Sequence, residues 1–238
     1  MTKTVWRICM SFPVIWAGAF GRFCVAQQLP YDLDRFGLKV RDDFYAGYAG
    51  DRVRFDRAMK MCDEALAKDP GNSEALVWHG NGLLFMGGRA ARSGDPNQGK
   101  ELSERGLKEM QAAVDLTPDN EAVRVIRGAT LETVARTLQN QDEARKLLRL
   151  AVADYEHTRE IQATYFDKMP EHGRGELLLG LADGYSRLGD VNRAKSLFEQ
   201  IRASLPGTVY ASSATEWLAK KTPLPAAKAG CLGCHTGN

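Results

Sequence analysis

Residues 175–208 read GELLLGLADGYSRLGDVNRAKSLFEQIRASLPGT, and this stretch decides the fold. Leu177, Leu178, Leu181 and Tyr185 recur at spacings of three and four, the period of one helix face. Leu188-Gly189-Asp190 interrupts them. Ala194, Leu197, Phe198 and Ile201 then resume the same period up to Pro206-Gly207. Gly and Pro fall between the periodic runs, so the stretch reads as helix, turn, helix.

The same reading extends outward. Ala58, Cys62, Ala65 and Leu66 form a stripe ended by Asp69-Pro70-Gly71-Asn72, and Leu107, Met110, Ala113 and Val114 one ended by Thr117-Pro118-Asp119-Asn120. Leu147, Leu148, Ala151 and Val152 place a third stripe on a helix predicted over 142–165. A last helix is predicted over 210–221, with Trp217 turned inward. Strand alternation is nearly absent between residues 51 and 221, so the fold class is all-α.

Copies of one hairpin in tandem resemble the tetratricopeptide repeat (TPR), a helical pair of about 34 residues. In residues 175–208, Leu178, Leu181, Ala182 and Tyr185 match its first-helix packing positions. Gly189-Asp190 matches the turn, Ala194 and Phe198 the second helix, and Pro206 the closing proline. Two weaker copies share the Pro punctuation at Pro70 and Pro118. Those prolines stand 48 positions apart, and the excess over one period is placed in 87–99, where Gly-Gly, Ser-Gly and Asp-Pro pairs read as an inserted loop. A further pair over 121–166 keeps Gly128 and Ala144 but lacks the proline. The resemblance implies an array of hairpins that buries its stripes between neighbours and offers a surface to a polypeptide partner.

Composition is that of a globular chain: 238 residues, 44% hydrophobic, 26% charged, net charge +2. No basic stripe points to nucleic acid. Lys3 and Arg7 precede the uncharged residues 8–20, and Cys24-Val25-Ala26 is a small-residue exit, so residues 1–26 are expected to be a secretory signal cleaved near Ala26. The apolar run is too short for a membrane span. Its removal takes Lys3, Arg7 and Arg22 and no acid, leaving 29 basic and 30 acidic groups. The expected organisation is 1–26 signal, 27–50 lead-in, 51–221 repeat domain, and 222–238 tether with its motif.

That motif is Cys231-Leu-Gly-Cys234-His235, reached through the Pro-containing tether 222–230. Two thiols two residues apart followed by His form the attachment pattern of c-type haem. Cys231 and Cys234 would take the two vinyl groups, and His235 would bind the iron. Attachment of this kind takes place outside the cytoplasm, as the resemblance to c-type cytochromes implies, so motif and signal support each other. A thioredoxin-like dithiol would need a preceding strand, and a zinc knuckle would need further Cys or His ligands. Cys62 falls within an apolar stripe and reads as a core residue.

Only three residues follow His235, whereas cytochromes c place a Met ligand tens of residues later. A sixth ligand must therefore come from upstream or from another chain, or be missing. His172, in an expected Pro170–Gly173 loop, is the first candidate. His79 reads as core, His157 as solvated, and Met59, Met61, Met86, Met110 and Met169 mostly as core fillers. Arg89 and Arg92 are candidate partners of haem propionates. Asp42-Asp43 and Asp142-Glu143 read as helix starts or solvated charge. No Gly-x-Ser-x-Gly, phosphate loop or His-Glu-x-x-His points to an enzyme. The sequence thus predicts an exported, periplasmic or similarly located repeat protein with one covalent haem c, serving electron transfer with a redox protein. The alternative is a periplasmic scaffold that binds a polypeptide, and either protein can oligomerise.

Overall fold

The computed structural model describes residues 35–225, and within them the regular structure is helical. Helices α1 (Phe36–Tyr48) and α2 (Arg52–Lys68) make the first hairpin, followed by α3 (Ser73–Arg92) with α4 (Pro96–Leu116). Helices α5 (Glu121–Ala135) and α6 (Gln141–Ile161) make the third, α7 (Glu171–Leu188) and α8 (Val191–Ser204) the fourth, and α9 (Val209–Lys220) closes the array. A short 3₁₀ turn, Phe166–Lys168, links α6 to α7. Partners in each hairpin pack together. Odd helices also pack in the series α1–α3–α5–α7–α9, and each even helix packs against the next odd one.

Short polar residues start these helices by accepting from backbone N–H groups that have no partner inside the helix. Asp51, Asn72, Asp95, Asn120, Asn140, Asp190 and Thr208 each do so from their side chains. Asn72 and Asn120 are the last residues of the two Pro-containing signals in the sequence. Gly189 ends α7 at φ 87°, a left-handed conformation open to glycine at little cost.

The expected inserted loop at 87–99 is not there. Helix α3 runs 20 residues and α4 runs 21, against 18 and 14 for α7 and α8, and only Ser93-Gly94-Asp95 separates them. The extra residues lengthen both helices. Of the glycines that read as loop signals, Gly94 does make the turn, at φ 98°, whereas Gly87 and Gly99 pack between the helices. A Cβ on Gly80 would stand 2.7 Å from the Gly106 carbonyl, and one on Gly87 would stand 2.7 Å from the Gly99 carbonyl. Each pair clashes reciprocally, so the two helices lie backbone to backbone.

Two main apolar clusters fill the array. One joins α1–α5 through Phe44, Phe55, Trp78 and Met110, and the other joins α6–α9 through Tyr155, Leu178, Phe198 and Trp217. Helix α1 lies within 27–50, where the sequence pattern marks no hairpin, yet Val40 and Phe44 are fully buried. Trp217 faces inward as expected, stacked on Phe198 at 4.5 Å and donating to Ser186 Oγ at 2.7 Å. No helix among the described residues is long and apolar enough to cross a membrane.

Candidate functional site

The long α3–α4 hairpin has a consequence beyond its own packing. A groove of about 1160 Å³ opens between this hairpin, α1 and α5. One wall is aromatic: Tyr45 and Tyr48 from α1 with Trp78 and Phe85 from α3. Tyr48 and Phe85 meet at 4.8 Å between ring centres, and Tyr45 stands edge-on to Trp78 at 6.2 Å. The Tyr48 hydroxyl is buried without a hydrogen-bond partner among the described residues. Burial pushes its pKa well up, so the phenol stays neutral. Gly87, Gly88, Ala91 and Gly99 line the groove at the tips. Arg92 and Lys100 stand at this end. Across the groove, Ile126, Ala129, Thr133 and Val134 of α5 continue into Thr137–Gln139 and Glu143.

Arg136 lines the groove and also belongs to a buried ionic cluster between α5 and α7. Its Nη2 donates to Glu132 at 2.7 Å and to Asp183 at 2.9 Å, and Arg187 Nε donates to Asp183 at 2.6 Å. Burial raises the Glu132 carboxyl well above the usual range. Burial also works to raise Asp183, but the hydrogen bond with Glu132 and the guanidinium groups of Arg136 and Arg187 outweigh it and hold it low. The two carboxyls are thus pushed apart, Glu132 toward its neutral form and Asp183 toward its charged one.

The same carboxylate fixes the start of the tether. Leu224 N–H donates to Asp183 Oδ1 at 3.0 Å, Arg187 donates to the Leu224 carbonyl, and the Leu224 side chain is 2% exposed. Between two prolines this leucine reads as linker, and no local pattern marks it as core. The tether expected over 222–230 therefore begins later than the sequence suggests, because the chain is pinned as far as residue 224.

The residues expected to carry the haem, Cys231, Cys234 and His235, lie outside the described residues, as do the expected signal 1–26 and its exit. His172 does not sit in a loop. It lies in the first turn of α7, exposed, with Nδ1 2.7 Å from the Tyr210 hydroxyl. His79 is 3% exposed, held by Glu109 at 2.5 Å and Asp63 at 3.3 Å, as a core histidine should be. His157 lies on α6 beside Asp119 at 2.8 Å. Cys62 is buried, and burial pushes its thiol up to about 12, which makes it inert. Met110 and Met169 are core, while Met86 is exposed. Arg92 is at the groove, whereas Arg89 lies over the Phe85 ring.

Of the acidic pairs, Asp142-Glu143 starts α6 as expected. Asp43 does not fit its reading. It is 6% exposed in the middle of α1, bound by Arg54 at 2.8 Å and by Arg57 at 2.5 Å. Its partners come from the next helix, three and six residues into α2, which α1 alone does not reveal. No group of three or more His, Cys, Asp or Glu among the described residues is arranged to hold a metal ion.

No protein-family model matches the chain, and no curated protein does. Among solved structures, a thermophilic TPR protein from Thermus thermophilus is similar, with a TM-score of 0.50 and 20% identity over 76% of this chain and 78% of that one. A likeness at that identity speaks for the fold, and it agrees with the hairpin order described above. The protein is an all-helical, TPR-like array of hairpins.

Proposed function

We propose that this protein is an exported helical scaffold that carries one covalently attached haem c near its C-terminal end and exchanges electrons with a redox protein docked on the repeats. The observation that carries the reading is Cys231-Leu-Gly-Cys234-His235, in a chain whose residues 1–26 have the pattern of an export signal. Cys231 and Cys234 supply the two thioether sulfurs, and His235 binds iron. The haem, when bound, supplies a one-electron couple whose potential follows the axial ligands and burial. The repeats supply surface for a polypeptide, the usual service of a stacked helical array. The compartment is the periplasm or an equivalent space outside the cytoplasm, where haem attachment of this kind occurs.

A second reading keeps the scaffold and drops the redox role. The groove favours it: an apolar, aromatic-walled cavity suits a polypeptide segment without any haem. Expression with the natural leader and cytochrome maturation machinery separates the two. The denatured protein should stain for haem, and the double variant Cys231→Ala, Cys234→Ala should lose the stain while its helical circular dichroism stays unchanged. A wild type without covalent haem would leave the scaffold reading alone.

A further inference from the structure

We propose that the chain's own C-terminal segment, residues 226–238, folds back into the groove between α1, α3 and α5 and seats its haem there. The identity of the group in the groove rests on the haem reading above; the direction of the chain rests on Leu224.

After α9 the backbone does not leave the array. Lys221 turns it at φ 52°, and Leu224 is then held on α7 by its side chain, its N–H and its carbonyl. The acceptor of that N–H, Asp183, is bound through its other oxygen to Arg136, a groove-lining residue. Anchor and groove wall are therefore joined by one buried carboxylate. Cys231 follows Leu224 by seven residues, a reach of up to about 25 Å. The residues between are Pro225-Ala-Ala-Lys-Ala-Gly230, small enough to pass over a helix face without a pocket of their own.

The groove suits what the segment would bring. At about 1160 Å³ it exceeds the roughly 300–1,000 Å³ of most small-ligand sites. Its aromatic and aliphatic walls match an apolar macrocycle, and Arg92 and Lys100 offer cations for two carboxylates at the solvent end. Among the described residues, no His or Met lines it. Iron held there has His235 as its one strong protein ligand, so a high-spin spectrum is expected. His172, at the opposite end of α7 from Asp183 and Arg187, takes no part.

The test uses the full haem-loaded chain with Leu232→p-benzoylphenylalanine, which places a photo-cross-linker between the two cysteines and leaves Cys231, Cys234 and His235 intact. Irradiated at low protein concentration and digested, it should yield cross-links within one chain to residues 81–92 or 126–139. Adding Leu224→Ala should cut those cross-links several-fold at unchanged helical content. Cross-links between chains, to α8 or to the start of α7 would overturn the proposal, as would groove cross-links indifferent to Leu224→Ala. A low-spin haem whose signal is lost in His172→Ala would overturn it by an independent route. Haem staining of the same denatured samples keeps the two readings apart. Groove cross-links without covalent haem refute the haem and retain the docked tail, while haem with cross-links elsewhere does the reverse.

Discussion

The hairpins α3–α4 and α7–α8 are the same motif packed in opposite ways. In α7–α8 large side chains fill the interface: Leu178, Tyr185 and Ile201 pack between the helices, and Phe198 takes Trp217 of α9 on its face. In α3–α4 the closest approaches are made by glycine, where Gly80 meets Gly106 as Gly87 meets Gly99, with Leu84 and Met110 beside them. Filling holds helices apart at a spacing set by the side chains, whereas glycine lets the backbones touch. The groove lies at the tips of the α3–α4 hairpin, lined by Gly87, Gly88, Ala91 and Gly99. The regular hairpin buries most of its apolar face. The long one builds a groove.

The largest effect that bears on this contrast is expected in the filled hairpin. Phe198→Ala removes a ring with no exposed surface from beneath Trp217, and it should cost about 3–5 kcal/mol by denaturant unfolding. Lys195→Ala, a turn away on the solvent face, should cost less than about 0.5 kcal/mol. Equal costs would mean that α8 does not present the face described.

The glycine-packed hairpin should respond to the smallest possible addition. Alanine ordinarily stabilises a helix over glycine by roughly 0.5–1 kcal/mol. Gly88→Ala should follow that rule, since its Cβ meets only the movable end of Arg92 at 3.2 Å. Gly80→Ala should do the opposite and cost about 1–3 kcal/mol, because its Cβ falls 2.7 Å from the Gly106 carbonyl and 2.7 Å from Met110. Thermal unfolding of the two variants checks the sign. Matching shifts would remove the close approach on which the comparison stands.

The same contrast shows what is legible in the sequence. The filled hairpin is readable because its signal is local: apolar residues at a fixed period, a glycine at the turn and a proline at the end. In the other hairpin Gly87 and Gly99 mislead, because a glycine looks the same in a chain whether it frees the backbone for a turn or clears space for another helix. Only the facing glycines of α4, some 12 to 26 residues away, distinguish the two uses. The groove is invisible for the same reason, being lined by residues of α1, α3, α4 and α5 that are distant in sequence. Leu224 and Asp43 escape a local reading because their partners, Asp183 on α7 and Arg54 and Arg57 on α2, are supplied by tertiary structure. The haem motif is the reverse case, five consecutive residues that need no fold to be recognised.

Charge provides the finest distinction between the two ends of the array, and the smallest effect. Helices α1 and α2 are joined across their polar edge by Asp43 with Arg54 and Arg57, whereas α8 and α9 meet through Phe198 and Trp217. The Arg57 hydrogen bond, with help from Arg54, outweighs burial and holds the Asp43 carboxyl below its ordinary range. A carboxyl whose pKa is lower in the folded chain binds protons more readily when unfolded. Its contribution to stability is therefore complete above the ordinary carboxylate pKa of about 4 and is lost as pH falls through the lowered folded value. Asp43→Asn removes this contribution at every pH. The variant should melt below the wild type at pH 7, and the gap should close as the pH is taken below about 4. Trp78, stacked on Phe44 of α1 at 5.3 Å, gives a fluorescence signal at the affected end, and Trp217 gives one at the other. Haem-free protein with only one of these two tryptophans retained should show the gap through Trp78 and little of it through Trp217. A gap of the same size at both would mean that the array melts as one unit, and one that widened in acid would mean that Asp43 is not held as an ion.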